Sequence, residues 1–140
     1  MLLLVQIKQN NPEGKGDYKM DIRKITVNGK EYEFINQSRD TRSGFAHDTT
    51  LFVNGCERVN ESCHYLNRTW ECYRYQTVML KAIRTLADWQ TERLTNNFKT
   101  EKGYAKLTPR RKEELTDILE KDPLLNEYKE VEGQLRNSHC

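Results

Sequence analysis

The chain has 140 residues, 36% hydrophobic and 31% charged, with 23 basic and 21 acidic side chains and a formal net charge of +2. That balance excludes both a strongly acidic mimic of nucleic acid and a generic polyanion binder, so any basic surface must come from local clustering. The length fits one domain with a genuine core, and the polar composition fits a water-soluble protein.

In chain order, Met1-Leu2-Leu3-Leu4-Val5 is too short for a signal peptide or a membrane span, and Asn10 to Gly16 has the composition of a loop. Two readings of residues 1–19 stand side by side. Lys15-Gly16-Asp17 can be encoded by a purine-rich ribosome-binding sequence ahead of Met20, which would make 1–19 a translated leader and Met20 the native start. Alternatively, Leu2–Lys8 forms an edge strand.

Residues 22–27 read as a first strand, closed by Asn28-Gly29, the strongest two-residue hairpin signal. Glu31 to Ile35 alternates polar and apolar, as a half-buried strand does. Asp40 to Gly44 reads as a loop, 45–53 as a third strand, Asn54-Gly55 as a second hairpin turn, and 57–66 as a fourth strand with Val59, Cys63 and Tyr65 inward. From about Trp70 the period changes. Tyr75, Met79, Ala82, Ile83 and Leu86 share one helical face with Trp89 at its edge; Thr69 is the expected N-cap and Leu94 the approximate end. Thr108-Pro109 and Asp122-Pro123 each open a shorter amphipathic helix, the second with Leu124, Tyr128, Val131 and Leu135 on one stripe. These two helices either fold back on the sheet or form a pair that meets another subunit. The expected fold is α+β: a four-stranded antiparallel meander, a long helix packed on it, and two shorter C-terminal helices. It forms a single domain over 20–140, with the sheet in 20–68 and the helices in 69–140.

The densest set of recognition-type side chains is Asn67 to Gln76, which holds Arg68, Trp70, Glu71, Tyr73 and Arg74. Arginine beside aromatic rings makes stacking, cation–π and bidentate contacts, suited to a base, a nucleotide or a protein partner. Some of this run must be scaffold, since Tyr75 points with the core stripe and Trp70 is placed to pack the junction of sheet and helix. The weight for binding therefore falls on Arg68, Glu71, Tyr73 and Arg74. Arg42, in the polar loop Arg39 to Gly44, is a candidate phosphate contact. Arg110 and Arg111, with Lys106 and Lys112, form the densest basic cluster at a helix start, although Glu113, Glu114 and Asp117 offset much of its field.

Catalytic signatures do not accompany these residues. The sequence shows neither a nucleophile elbow, nor a P-loop, nor a G-x-G-x-x-G, nor an H-E-x-x-H motif, and a non-enzymatic protein without a cofactor is expected. His47 and Asp48 are neighbours on a strand and face opposite sides, so they form no dyad. The four cysteines, Cys56, Cys63, Cys72 and Cys140, lack a C-x-x-C knuckle; they read as small buried hydrophobes in a reducing compartment and not as a metal site.

The string Leu66-Asn67-Arg68-Thr69-Trp70-Glu71, continued by Tyr73, Tyr75, Gln76 and Val78 and preceded by Leu51-Phe52-Val53-Asn54-Gly55, resembles small accessory proteins of phages and mobile elements of Gram-positive bacteria. The resemblance covers about residues 44–84. It implies a cytoplasmic protein, acting in the host bacterial cell, that counters host defence. Anti-CRISPR proteins and proteins that sequester nucleotide immune signals belong to that class. Sponges of the second type pair an antiparallel sheet with C-terminal helices, a layout similar to the one read here. Three functions follow as expectations: an inhibitor that binds a host defence protein such as a CRISPR effector, a sponge for a cyclic or ADP-ribose-type nucleotide, and a nucleic-acid-binding accessory protein. Self-association through the C-terminal helices is a further expectation, and no membrane partner is expected.

Overall fold

The computed structural model describes residues 20–66 and 75–137. Four strands, β1 (Met20–Val27), β2 (Lys30–Thr41), β3 (Gly44–Val53) and β4 (Cys56–Tyr65), pair antiparallel in sequence order. Both Asn-Gly pairs make the tight turns their chemistry favours. Asn28 and Gly29 have φ of 54° and 80°, and Asn54 and Gly55 have 50° and 83°, the left-handed pair that matches the twist of flanking strands. Asn54 also ties its turn to the start of β2, since its Oδ1 accepts from the Glu31 amide at 2.9 Å.

The β2–β3 connection differs from the expected loop over Asp40 to Gly44. Pairing continues to Thr41 opposite Gly44, leaving Arg42-Ser43 as a two-residue turn. The cause lies at Gly44. A Cβ there would run into the carbonyl oxygen of Tyr65 and come within 2.7 Å of that of Leu66, so the absence of a side chain lets β3 begin hard against the end of β4. Further along, Leu51 pairs with Val59 but Phe52 with Glu57, so Arg58 is the extra residue of a β-bulge.

Three helices follow: α1 (Gln76–Lys102), α2 (Pro109–Lys121) and α3 (Pro123–Asn137). Tyr75 sits at the N-cap of α1 with φ −93° and no side-chain capping bond, and the helix opens at Gln76; Thr69, the expected cap, and Trp70 lie outside the described residues. The helix also runs through Asn96-Asn97 to Lys102, well beyond Leu94. Burial of Phe98 against Tyr104, with ring centroids 5.7 Å apart, outweighs the weak propensity of the two asparagines. Gly103 ends it in the left-handed conformation (φ 70°), and Tyr104 N donates to Lys99 O at 2.9 Å. The other two helix starts are as read: Thr108 Oγ1 accepts from Arg111 N at 3.3 Å, and Asp122 Oδ2 from Leu125 N at 2.9 Å.

The core lies between one face of the sheet and a layer made by α1 and α3. Ile25, Tyr32, Phe34, Leu51 and Val59 project toward Met79, Ala82, Ile83 and Leu86 of α1 and toward Tyr128, Val131 and Leu135 of α3. Each Val, Leu, Ile, Phe or Met side chain among them contributes roughly 1.5–3 kcal/mol on burial. α1 covers β3 and β4, while α3 runs antiparallel beside it over β1. Side chains close the C-terminal turn of α3: Gln76 Nε2 donates to Leu135 O at 2.7 Å and Arg23 to Gln134 O at 3.5 Å. Of the two arrangements open to the C-terminal helices, α3 thus folds back on the sheet, whereas α2 buries only Leu115.

Glu127 of α3, 6% exposed, is the buried charge of this layer. The Tyr32 hydroxyl donates to it, Lys30 Nζ lies 3.2 Å from Oε2, and Asn28 Nδ2 lies 3.4 Å from Oε1. Burial pushes the carboxyl upward, but the hydrogen bonds from Tyr32, Asn28 and Lys30 outweigh it and hold it below its usual range. The same burial and the same carboxylate push the Tyr32 hydroxyl up. The β1–β2 turn is thereby clamped to α3. Among the described residues, no helix is long and apolar enough to cross a membrane.

Candidate binding site

Alternation along β3 sends Phe45, His47, Thr49 and Leu51 to the helix-facing side and Asp48 to the other. Leu51 joins the apolar core. Phe45 and His47, nearer the β2–β3 turn, meet aromatic rings from the last strand and from the entrance to α1. Phe45 stacks on Tyr65 with centroids 4.8 Å apart and an interplanar angle of 16°. His47, 1% exposed, touches Phe45 and Tyr65 at 5.4 Å and Tyr75 at 4.6 Å.

Ser38 ties this aromatic corner together. It lies opposite His47 in the β2–β3 register, and its hydroxyl is 2.8 Å from His47 Nδ1 and 2.9 Å from the Tyr75 hydroxyl. Burial pushes the Tyr75 phenol upward; the Ser38 hydrogen bond pulls the other way, and the carboxylates of Asp21 and Asp48 add to the rise. Tyr75 is therefore a neutral, oriented ring. On the opposite face Asp48 accepts from Arg39 Nε at 2.8 Å and from the Ser62 hydroxyl, which braces the same three strands from behind.

The chain leaves the described structure after Leu66, 72% exposed, and re-enters it at Tyr75. Five of the residues singled out in the sequence, Arg68, Trp70, Glu71, Tyr73 and Arg74, lie outside the described residues. Both flanks of that stretch are fixed on His47. Arg42 is exposed in the β2–β3 turn at this same end of the sheet.

No family model, curated protein or solved structure matches this chain.

The basic cluster lies elsewhere, at the connection between α1 and α2. Arg111 is drawn inward: its guanidinium carbon stands 3.8 Å from the Tyr104 ring centroid, and Nη1 donates to Lys106 O at 3.1 Å. Arg110 and Lys112 are exposed. The structure does not bring Arg42 together with Arg110 and Arg111. Arg42 belongs to the β2–β3 hairpin, and the other two open α2, which packs chiefly on α1 and α3. Two of the cysteines depart from the expected burial, since Cys56 is exposed beside the Asn54-Gly55 turn and Cys63 is half-buried; Cys72 and Cys140 lie outside the described residues. Among the described residues, no group of three or more His, Cys, Asp and Glu side chains converges on a point that would hold a metal ion.

Ser38, Phe45, His47 and Tyr65 are the members of the corner that sequence reasoning did not assemble. The signal was present in the spacing of Phe45 and His47 on one strand face. It became usable only with the register that sets Ser38 opposite His47 and Tyr65 opposite Phe45.

Proposed function

We propose that this protein is a non-enzymatic counter-defence binding protein of a phage or mobile element, an anti-CRISPR-like inhibitor that engages a host defence protein through residues 67–74, whose two flanks the aromatic corner holds. The observation that supports it is the anchoring of Tyr65 and Tyr75 on one buried ring, His47. A stretch rich in Arg, Trp and Tyr, held at both ends by a packed scaffold, is the arrangement in which interface anchors lose least entropy on binding. The phage or mobile-element setting rests on the sequence resemblance alone. The experiment is capture of partners from host lysate with the full chain, followed by gel filtration of the complex. The Arg74→Glu variant is run in parallel. A specific partner that the variant no longer holds, at unchanged melting temperature, supports the proposal; equal retention by the variant sinks it.

A second reading is a sponge for a cyclic or ADP-ribose-type nucleotide. It is favoured by the exposed guanidinium of Arg42 at the same end of the sheet as the rings, since arginine and aromatic faces together recognise phosphate and base. A thermal-shift panel of immune signalling nucleotides tests it: a bound nucleotide raises the melting temperature. No shift, together with a specific protein partner, discards it. The nucleic-acid reading is weakened because Arg111 is occupied by Tyr104 and Lys106.

A further inference from the structure

Two buried polar atoms on the helix-facing side of the sheet, Asn36 Oδ1 and Thr49 Oγ1, have no hydrogen-bond partner among the described residues. Both residues are 0% exposed. They are direct cross-strand partners between β2 and β3, so their side chains leave the sheet next to one another. The pair Phe34–Leu51 on one side of them is apolar core, and the pair Ser38–His47 on the other is the polar base of the aromatic corner.

The orientation of the Asn36 amide is set by its surroundings. Nδ2 donates to Asp21 Oδ2 at 3.2 Å and lies 3.4 Å from Met79 Sδ. Flipping the amide would turn its oxygen toward a carboxylate and a thioether, neither of which donates. Oδ1 therefore points away from both and seeks a donor. Thr49 Oγ1 carries a hydroxyl hydrogen that seeks an acceptor. An anion would be repelled by Oδ1 and by Asp21, and an apolar group would leave both atoms unpaired. The occupant that serves both must be small, neutral and able to donate and accept at once.

We infer that one ordered water molecule is bound between Asn36 and Thr49 beneath Met79, donating to Asn36 Oδ1 and accepting from the Thr49 hydroxyl. Buried waters of this kind complete otherwise unsatisfied polar groups and belong to the structure. The first turn of α1 then rests on a polar seam, formed by Asp21, Asn36, the water and Thr49, while its later turns rest on the apolar core.

The test is NMR of the full chain, reading cross-relaxation between a long-lived water and the Thr49 methyl and Asn36 amide protons. Thr49→Val and Thr49→Ser are measured beside the wild type. The wild type and Thr49→Ser should show the bound water. Thr49→Val should lose it and melt at a lower temperature, by about 3 °C. A wild type without a bound water overturns the inference. So does a Thr49→Val variant that melts at or above the wild-type temperature, because removing an unsatisfied buried hydroxyl relieves a cost.

Discussion

Tyr65 and Tyr75 both rest on the ring of His47, with centroids 5.4 and 4.6 Å away, although one ends β4 and the other opens α1. The two ends of the stretch between them are therefore held at one place by a single buried side chain. Removing that side chain should loosen both ends together. His47→Ala is expected to destabilise the fold by about 3 kcal/mol, as large-to-small changes in a packed interior do. Thermal unfolding checks this, and capture of the lysate partner should fail in parallel. An unchanged melting temperature would show that the rings hold one another without His47.

Gly44 is the steric counterpart of that anchor. Its Cα faces the backbone of Tyr65 and Leu66, where a Cβ would stand 2.7 Å from the Leu66 oxygen. Backbone yields less readily than a side chain, so Gly44→Ala should cost roughly 1–3 kcal/mol through forced displacement. The shift in urea midpoint measures it. Ser43→Ala in the exposed turn alongside should stay within about 0.5 kcal/mol of wild type.

Glu127 makes acid stability predictable in sign. Its carboxyl is held below the ordinary value of 4.5, despite burial, by the hydrogen bonds from Tyr32, Asn28 and Lys30. A carboxylate lowered in the folded state contributes stability that is complete above its unfolded value and is lost as pH falls through the folded one. The melting temperature should therefore hold from pH 7 to about 5 and fall below about 4.5. Glu127→Gln should cost about 1–3 kcal/mol at pH 7 and flatten the acid slope. The slope that remains belongs in part to Glu132, which burial raises but Arg84 and Arg136 lower further. A variant with the full wild-type slope would clear Glu127 of this role.

Arg42 separates binding from folding. It is exposed in a two-residue turn, so Arg42→Glu should change stability by less than about 0.5 kcal/mol. Under the sponge reading, the same swap abolishes the nucleotide-induced thermal shift. Under the inhibitor reading, it weakens capture of the protein partner and leaves no nucleotide effect to lose. Isothermal titration with each ligand class distinguishes the two.

Local chemistry made much of the architecture legible. Asn-Gly turns, Thr108-Pro109, Asp122-Pro123 and Gly103 act within a few residues, and each appears in the structure where its dihedral or capping preference places it. The errors arose where distant contacts decide. Asp40 to Gly44 has a loop's composition, yet all but Arg42-Ser43 pairs because Gly44 closes on Tyr65 and Leu66. Asn96-Asn97 should weaken a helix, yet Phe98 finds Tyr104 and the helix continues. The aromatic corner needs a register across three strands, which no local window contains. Asp48, the neighbour of His47 in the chain, faces the other side of the sheet, and the partners that matter are Ser38, Tyr65 and Tyr75.

The last helix covers the first strand. Tyr128 meets Tyr32 edge-on with centroids 6.3 Å apart, and Gln76 and Arg23 close the final turn of α3. Contacts so distant along the chain are formed late, because loop closure must precede their reward. On the ribosome, Ile25 and Tyr32 emerge early and wait for Tyr128, Val131 and Leu135 to be made before that end of the sheet is covered. The meander can pair while synthesis continues, but the apolar face around Ile25 and Tyr32 remains a hazard for association with another nascent chain until α3 docks.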